Sequence, residues 1–299
     1  MKTQWNMLIV ILALGLGQIP AKAATEKAEV HYFDSGGVKI AYLEQGQGEP
    51  VILIHGALAN SDINWVKPGI MAALARNYRT IALDLRGHGQ SDKPYDPHAY
   101  GRALVEDVVR LMDHLKIARA HFLGYSLGSL VLFKLIVDHP QRIASASMGG
   151  PGWIKPGDDL SHYGELARSL EEGTGIAPVL KSMTPEGEAP PSEEEIAQIN
   201  AALASYNDFK AVAACLRNMG SLSISEEQVR LIHVPCLFLF GSQDDNKEEI
   251  LGMDKIMPGF ASWVEIEGAG HGDAMLKPQF LPAVQKFLID HAAGQDGRP

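Results

Sequence analysis

A serine between two glycines has the spacing that a catalytic nucleophile needs. The run Gly124–Gly128 has Ser126 at its centre and lies between an apolar segment and a helical pattern. A tight turn from strand to helix pushes the central hydroxyl out above a sheet, and glycines two residues before and after relieve the crowding. The helix that follows adds a positive dipole and a free N–H. The pattern predicts Ser126 as a nucleophile for acyl transfer, with an ordinary glycine-rich turn as the alternative.

Two histidines in glycine-rich loops are candidates for the base that this hydroxyl requires near neutral pH. His271 follows the last predicted strand, Ser262–Ile266, and lies in the run Gly268–Gly272, where small neighbours leave it room to approach Ser126. His88 also follows a predicted strand, in the run Asp84–Asp92, but it precedes the nucleophile along the chain. We therefore favour His271 as the base.

A carboxylate must hold the base in the correct tautomer and stabilise the imidazolium. Asp244 and Asp245 follow the predicted strand Val234–Phe240, and neither spacing nor composition separates the two. Either one gives the chain order Ser, Asp, His, which is expected for this sheet topology. Asp84 and Asp92 are interpreted as residues that fix their own loop.

The loop after another predicted strand supplies candidates for an oxyanion hole. His55 and Gly56 stand at the carboxyl end of the apolar run Val51–Ile54, and an open α/β sheet forms its site at that edge. The N–H of Ala57 is the natural second donor beside the N–H of Leu127, which follows the nucleophile. His55 itself is interpreted as a structural residue of the loop.

Alternating strands and helices must position these loops. Val51–Ile54 is a continuous apolar run, as expected for a buried parallel strand, and Thr80–Leu85 and His121–Gly124 have the same character. Helical patterns separate and follow them. Two short strand patterns at Val30–Phe33 and Val38–Leu43 precede these strands and predict a hairpin. The sequence predicts an α/β fold whose sheet is mostly parallel and doubly wound, with a leading antiparallel hairpin.

The alternation stops after a glycine-rich break near residue 150. Residues 153–230 are acidic and helical in pattern, strand patterns then resume, and a last helix covers about Pro278–His291. A helical segment that interrupts such a sheet is most simply an insertion over one edge. We therefore predict a core made of residues 24–152 and 231–299, with a helical cap insertion at 153–230.

These motifs make the sequence resemble the α/β-hydrolase superfamily across nearly all of residues 24–299. The matching features follow the order of that family: the His55–Gly56 pair, the Asp84–Asp92 loop, the Ser126 elbow, the Gly241–Asp244 turn and the Gly270–His271 loop. The resemblance implies an α/β-hydrolase fold with a lid inserted after the strand that follows the elbow, where residues 153–230 fall. Relatives with haloalkane dehalogenase or epoxide hydrolase activity carry aspartate at the elbow, and serine at 126 argues against both.

The same resemblance separates the two adjacent aspartates. In this family the acid usually stands three residues after the glycine that ends its strand, here Gly241, and this points to Asp244. Asp245 is then expected to be an exposed turn residue that caps the helix starting near Asn246 or Lys247.

Length, charge and cysteine count limit the class of protein. The chain has 299 residues, of which 46% are hydrophobic and 21% charged, as in ordinary globular proteins. Its formal net charge of −10 argues against nucleic-acid binding, which requires Lys and Arg to neutralise phosphates. Two cysteines, Cys215 and Cys236, are too few for a disulfide framework or a cysteine-rich zinc site. Cys236 lies in the predicted strand Val234–Phe240 and is expected to be a buried free thiol, with a disulfide to Cys215 as the alternative.

The first 23 residues have the layout of a secretory signal peptide. Lys2 gives a short basic region, Met7–Gly17 is an apolar run, and Ala21–Ala23 is a small-residue cleavage site. The apolar run is too short to cross about 30 Å of hydrocarbon, so no stable membrane anchor is expected after cleavage. We predict cleavage after Ala23 and a secreted or periplasmic protein.

The residues together predict an exported serine hydrolase that cleaves small or medium acyl esters with Ser126, His271 and Asp244 as its triad. The expected partner is a small-molecule substrate, and neither a metal nor an organic cofactor is expected. The resemblance leaves the substrate class open, because related proteins include esterases, lactonases, amidases and aminopeptidases, carbon–carbon bond hydrolases and cofactor-free peroxidases. A non-catalytic binding protein with this fold is the alternative from a different class. The sequence gives no prediction of the oligomeric state.

Overall fold

One sheet carries the loops in which the candidate residues lie. The computed structural model describes residues 29–182, 190–257 and 259–292, and the predicted signal peptide at residues 1–23 lies outside them. The strands in the described part of the chain are β1 (Glu29–Asp34), β2 (Lys39–Gln45), β3 (Pro50–Ile54), β4 (Arg79–Leu83), β5 (Ala120–Tyr125), β6 (Ile143–Gly149), β7 (Cys236–Gly241) and β8 (Ala261–Ile266).

The strands lie in the order β1-β2-β4-β3-β5-β6-β7-β8 across the sheet. β1 and β2 form an antiparallel hairpin, and β2 is also antiparallel to β4. All the remaining neighbours, from β3–β4 to β7–β8, are parallel. The carboxyl ends of β3, β5, β7 and β8 therefore meet at one edge, where sheets of this kind build their sites. The predicted mostly parallel sheet with a leading hairpin is confirmed.

Helices cover both faces of this sheet. The α-helices in the described residues are α1 (Ile70–Leu74), α2 (Arg102–His114), α3 (Leu127–Asp138), α4 (Ser161–Glu171), α5 (Ala177–Ser182), α6 (Glu193–Ala204), α7 (Phe209–Leu216), α8 (Glu226–Arg230), α9 (Lys247–Met253) and α10 (Phe280–Asp290). Across these ranges, no helix is both long enough and apolar enough to cross a membrane.

Side chains of the central strands alternate between two hydrophobic layers, because successive residues of a strand point to opposite faces. In β3, Val51 and Leu53 belong to the layer that includes α1 and α10, whereas Ile52 and Ile54 belong to the layer that includes α2 and α3. All four side chains are fully buried. The continuous apolar run in this strand is thus explained by cover on both faces.

The helices α4 to α8 lie between β6 and β7, within residues 153–230, which we call the cap. The two segments that join the cap to the sheet are hydrogen-bonded to each other. The Ile224 N–H donates to the Ile154 carbonyl at 2.9 Å, and the Trp153 indole N–H donates to the Ile224 carbonyl at 2.8 Å. The cap therefore leaves and rejoins the core at one place.

Both cysteines are free thiols in buried positions, which confirms the prediction for Cys236. Cys215 lies in α7 of the cap and Cys236 lies at the start of β7. Burial raises the pKa of the Cys215 thiol to about 12 and also raises the pKa of Cys236. The reactive thiolate form is therefore scarce at neutral pH, and these residues act as small core side chains.

Candidate active site

Ser126 lies between β5 and α3 in a strained backbone conformation, with φ of 52° and ψ of −114°. The tight turn that produces these angles brings the chain close to itself on both sides. A Cβ atom on Gly128 would lie 2.0 Å from the Ile54 carbonyl oxygen, and one on Gly124 would lie 2.5 Å from the Gly128 carbonyl oxygen. The two glycines of the motif are therefore required by close contact with the end of β3 and the first turn of α3.

Three side chains from distant parts of the chain form one hydrogen-bonded series. Ser126 Oγ lies 2.9 Å from His271 Nε2, and His271 Nδ1 lies 3.1 Å from Asp244 Oδ2. Asp244 follows β7 and His271 follows β8, so the parallel strands bring both to the edge where Ser126 lies. The Asp244 side chain is fully buried, whereas that of His271 is 32% exposed. This arrangement can take a proton from the serine hydroxyl and stabilise the resulting imidazolium.

Burial distinguishes the two adjacent aspartates. The Oδ1 atom of Asp244 accepts the Asn246 N–H at 3.0 Å while its Oδ2 atom faces His271. Asp245 is exposed, as expected. The prediction that Asp245 caps the next helix is wrong, because Asn246 is the N-cap of α9 and makes no capping bond with its side chain. The turn that directs Asp244 inward leaves Asp245 pointing to solvent.

A tyrosine beside the nucleophile holds the loop of the candidate base. The Tyr125 hydroxyl donates to the His271 carbonyl at 2.6 Å. Burial raises the pKa of this phenol, so the hydroxyl keeps its proton at neutral pH. Further along the same loop, the Gly270 N–H donates to Asp273 Oδ1 at 2.7 Å. The position of the imidazole thus depends on both the elbow and the loop itself.

The loop after β3 approaches the nucleophile closely. A Cβ atom on Gly56 would lie 3.3 Å from Ser126 Cβ, and the Gly56 N–H donates to Asn64 Oδ1 at 2.9 Å. The N–H groups of Ala57 and Leu127 have no hydrogen-bond acceptor within the described residues. Free N–H groups beside a serine hydroxyl are what a developing oxyanion requires.

His55 and His88 are buried side by side and hold the loops around them. His55 Nε2 accepts the Leu85 N–H at 3.0 Å, so its Nδ1 carries the proton and donates to the Gly56 carbonyl at 2.7 Å. The His88 ring packs against His55 with centroids 5.2 Å apart, and its Nδ1 lies 3.1 Å from the Arg86 carbonyl. Burial lowers the pKa of both rings, that of His88 to about 3. These contacts agree with the interpretation of His55 as a structural residue.

We expect alanine substitutions of His88 and His271 to act differently. His271→Ala removes the group bonded to Ser126 and should lower kcat by about 10³-fold or more. His88→Ala should keep turnover within about tenfold but lower the free energy of unfolding by about 1–3 kcal/mol, because it leaves a cavity beside His55. Ester assays and urea unfolding curves measure these effects. A folded but inactive His88→Ala beside an active His271→Ala would reverse the assignment of the base.

Stability should also depend on pH through the two buried imidazoles. An unfolded histidine has a pKa near 6.5, whereas the pKa of His88 in the fold is about 3 and that of His55 is also lowered. The unfolded chain therefore binds protons that the folded chain does not, and the free energy of unfolding falls as the pH drops from about 6.5 toward 3. His88→Ala should make this fall less steep. Unfolding curves at about pH 7 and about pH 5 measure it, and an unchanged slope would contradict the effect.

The other carboxylates close to these loops accept hydrogen bonds from backbone groups. Asp84 accepts the Ser61 N–H at 2.8 Å and the Gln90 N–H at 2.7 Å, and Asp92 accepts the Lys39 N–H at 2.8 Å. This agrees with their interpretation as residues that fix their loop. In the described ranges of the chain, no group of three or more His, Cys, Asp or Glu side chains could hold a metal ion.

Three polar residues that hold the site were not identified from the sequence. Tyr125, Asn64 and Asn207 all bond to backbone groups of the loops that carry the candidate residues. A side chain that bonds to a distant backbone group leaves no pattern of residue types along the chain. Only Tyr125 had a signal, which is its place directly before Ser126.

Comparisons with known proteins agree with this fold. A family model described as alpha/beta hydrolase fold matches residues 49–170. The chain is 30% identical over 240 residues to the 2-hydroxy-6-oxo-6-(2'-aminophenyl)hexa-2,4-dienoic acid hydrolase of Metapseudomonas resinovorans, and the match covers 75% of this chain and 79% of that protein. It is 37% identical over 172 residues to the dihydrolipoyllysine-residue acetyltransferase component of the acetoin cleaving system of Cupriavidus necator, which covers 55% of this chain and 44% of that protein.

Solved structures show the same architecture. A thermophilic esterase from Thermogutta terrifontis with malate bound superposes with a TM-score of 0.71 at 24% identity, covering 88% of this chain and 100% of that chain. At this identity the likeness shows the fold alone. The similarity to the dienoic acid hydrolase extends over most of both proteins. The chain therefore belongs to the α/β-hydrolase family and is a hydrolase.

Proposed function

We propose that this hydrolase uses Ser126 as its nucleophile and cleaves carboxylic esters through an acyl-enzyme. The observation that carries the proposal is the series from Ser126 Oγ through His271 to the buried Asp244 carboxylate, with distances of 2.9 and 3.1 Å. The serine stands on a strained turn at the sheet edge where ligands reach such folds. A base within hydrogen-bonding distance of a hydroxyl is needed to activate a nucleophile, whereas ligand binding alone does not require one.

Each step of this mechanism assigns one bond change to one side chain. Ser126 Oγ attacks the ester carbonyl carbon while His271 Nε2 takes its proton. The bond to the alcohol oxygen then breaks, His271 returns the proton to that oxygen, and an acyl ester of Ser126 remains. Water attacks this ester with the same base, which frees the acid and restores the serine hydroxyl. Asp244 faces Nδ1 of His271 and thereby keeps Nε2 as the accepting atom.

The negative charge on the carbonyl oxygen is assigned to two backbone donors. Ala57 and Leu127 supply N–H groups that have no acceptor among the described residues. Leu127 also begins α3, so the positive end of the helix dipole points toward the developing charge. Donors that are already in place act without reorganisation during the reaction.

A second candidate is carbon–carbon bond hydrolysis of a keto acid, which the identity to the dienoic acid hydrolase favours. The substrate named for that relative is an anion at neutral pH. This chain has 36 acidic residues against 26 Lys and Arg. Helix α6 of the cap begins with the acidic run Glu193–Glu195, of which Glu193 and Glu194 are exposed. A negative potential of this kind repels anionic substrates. We therefore favour neutral esters of small or medium acyl chains.

Labelling with a fluorophosphonate tests the proposal. The wild-type protein should take up one label, and peptide mass spectrometry should find it on Ser126 rather than on the neighbouring Ser129. The value of kcat/KM is then measured for neutral esters, lactones, amides and a 6-oxo-dienoic acid, and the substrates are ranked by it. An unlabelled protein without turnover would indicate a binding protein, and faster cleavage of the keto acid would favour the second candidate.

Export is proposed from the sequence of the first residues. The apolar run Met7–Gly17 and the small residues of Ala21–Ala23 support cleavage after Ala23 and release into the periplasm or medium. Amino-terminal sequencing of the protein from those fractions should begin at Ala24. A protein that keeps Met1 and stays in the cytoplasm would contradict this proposal.

A further inference from the structure

The loop that carries the proposed oxyanion donor has a backbone conformation that its own sequence does not favour. Leu58 follows Ala57 directly and has φ of 54°, in the left-handed region. A residue other than glycine rarely adopts this conformation unless contacts with its surroundings hold it there. The position of the Ala57 N–H therefore depends on contacts that fix Leu58.

One of these contacts comes from the cap. Asn207 lies between α6 and α7, and its Nδ2 group donates to the Leu58 carbonyl at 3.1 Å. The same group donates to the Leu203 carbonyl at 3.0 Å, which holds the amide at the end of α6. Both amide hydrogens of Asn207 are thus used, one by the cap and one by the oxyanion loop.

The backbone of Asn207 makes a second connection to the loop that carries Ala57. It pairs with His88 in an isolated antiparallel bridge. The ring of His88 packs on His55, whose Nδ1 donates to the Gly56 carbonyl. The side chain of Asn207 thus bonds directly to residues 55–58, and its backbone is connected to them through His88.

We propose that Asn207 is a positioning residue that holds the oxyanion hole in its working geometry. Its amide fixes the Leu58 carbonyl, so that the preceding peptide groups, including the N–H of Ala57, keep their direction toward the carbonyl oxygen of the substrate. Formation of the oxyanion hole is thereby coupled to the seating of the cap on the core. This inference rests on the serine hydrolase mechanism proposed above.

The chain supplies a matched control for this contact. Asn218 is another cap asparagine whose Nδ2 group donates to core carbonyls, those of Pro97 at 3.0 Å and Tyr100 at 3.3 Å. These carbonyls lie in the segment before α2 and do not belong to the loop that carries Ala57. Substitution of Asn218 removes the same kind of bond between cap and core without touching the oxyanion loop.

The experiment compares Asn207→Ala and Asn207→Asp with Asn218→Ala and Asn218→Asp in the full protein. Loss of a direct oxyanion donor costs about 10²–10³ in kcat, and a donor that is only misdirected should cost about 10- to 100-fold. We expect this loss in kcat for both Asn207 variants, with KM within about threefold of wild type. Both Asn218 variants should stay within about threefold in kcat. Affinity for a trifluoromethyl ketone, which becomes an oxyanion on attack by the serine, should fall in parallel with kcat.

The wild-type protein separates the two ways in which this inference can be wrong. If it takes up no phosphonate and cleaves no ester, the proposed function is wrong and the role of Asn207 is wrong with it. If wild type is active but the Asn207 and Asn218 variants lose kcat equally, Asn207 only holds the cap. An Asn207→Ala protein that changes KM alone also overturns the assignment. Thermal unfolding of each variant identifies any loss of kcat that is caused by misfolding. If the Asn→Asp variants do not fold, the two Asn→Ala variants make the comparison.

Discussion

Ser126→Ala is expected to lower kcat for ester hydrolysis by about 10³- to 10⁶-fold while the protein stays folded. The substitution removes a single heavy atom, Oγ, which lies within hydrogen-bonding distance of His271 Nε2 at 2.9 Å. It keeps the Cβ atom that faces Gly56. Without Oγ no acyl-enzyme forms, so residual turnover must come from water attacking an ester held in the site.

Stability and labelling readouts make this result specific to the nucleophile. The free energy of unfolding should change by less than about 1 kcal/mol, because alanine experiences the positive φ of this turn much as serine does. Phosphonate labelling should be lost. Ser129→Ala is a suitable control, since its Oγ donates to the Gly149 carbonyl at 2.8 Å and is buried. That variant should lose stability and keep its label, and wild-type turnover in Ser126→Ala would refute the mechanism.

The sheet was predictable where strands are apolar throughout. Because helices cover both faces of the sheet, β3 and β5 are almost entirely buried and mostly apolar. Their observed bounds lie within two residues of the predicted ones. β6 was not predicted as a separate strand, because Ile143–Gly149 consists largely of small residues without the usual strand preference. β7 begins at Cys236 rather than at Val234, because Pro235 has no N–H to donate to a neighbouring strand.

The site was predictable only as far as its chemistry is local in sequence. Ser126 could be identified from its neighbours alone, because the glycines on either side are needed for the turn. His271 and His88 stand in similar glycine-rich loops, and the difference between them is burial, which no local pattern reveals. The bond from Asn207 to Leu58 joins residues 149 positions apart and depends on how the cap lies on the core.

Asp244→Asn should lower kcat by about 10⁴-fold, as the same change does in a serine protease. The asparagine Oδ1 can still accept the Asn246 N–H, so the turn keeps its shape. The new amide group, however, places N–H donors where Oδ2 faced His271 Nδ1 at 3.1 Å. Nδ1 must then act as an acceptor, and the ring proton moves to Nε2. In that tautomer His271 cannot take the proton of Ser126, and no negative charge stabilises the imidazolium.

The neighbouring aspartate is the matched control for this prediction. Asp245 is exposed and the helix α9 begins at Lys247 without a side-chain cap, so Asp245→Asn should change kcat by at most a few-fold. Both variants should be assayed side by side at neutral pH, with thermal unfolding to confirm that each is folded. A larger loss at Asp245 would move the acid by one residue, against its exposure. Near wild-type turnover in a folded Asp244→Asn would mean that His271 holds its tautomer without the carboxylate, through its remaining contacts in the loop after β8.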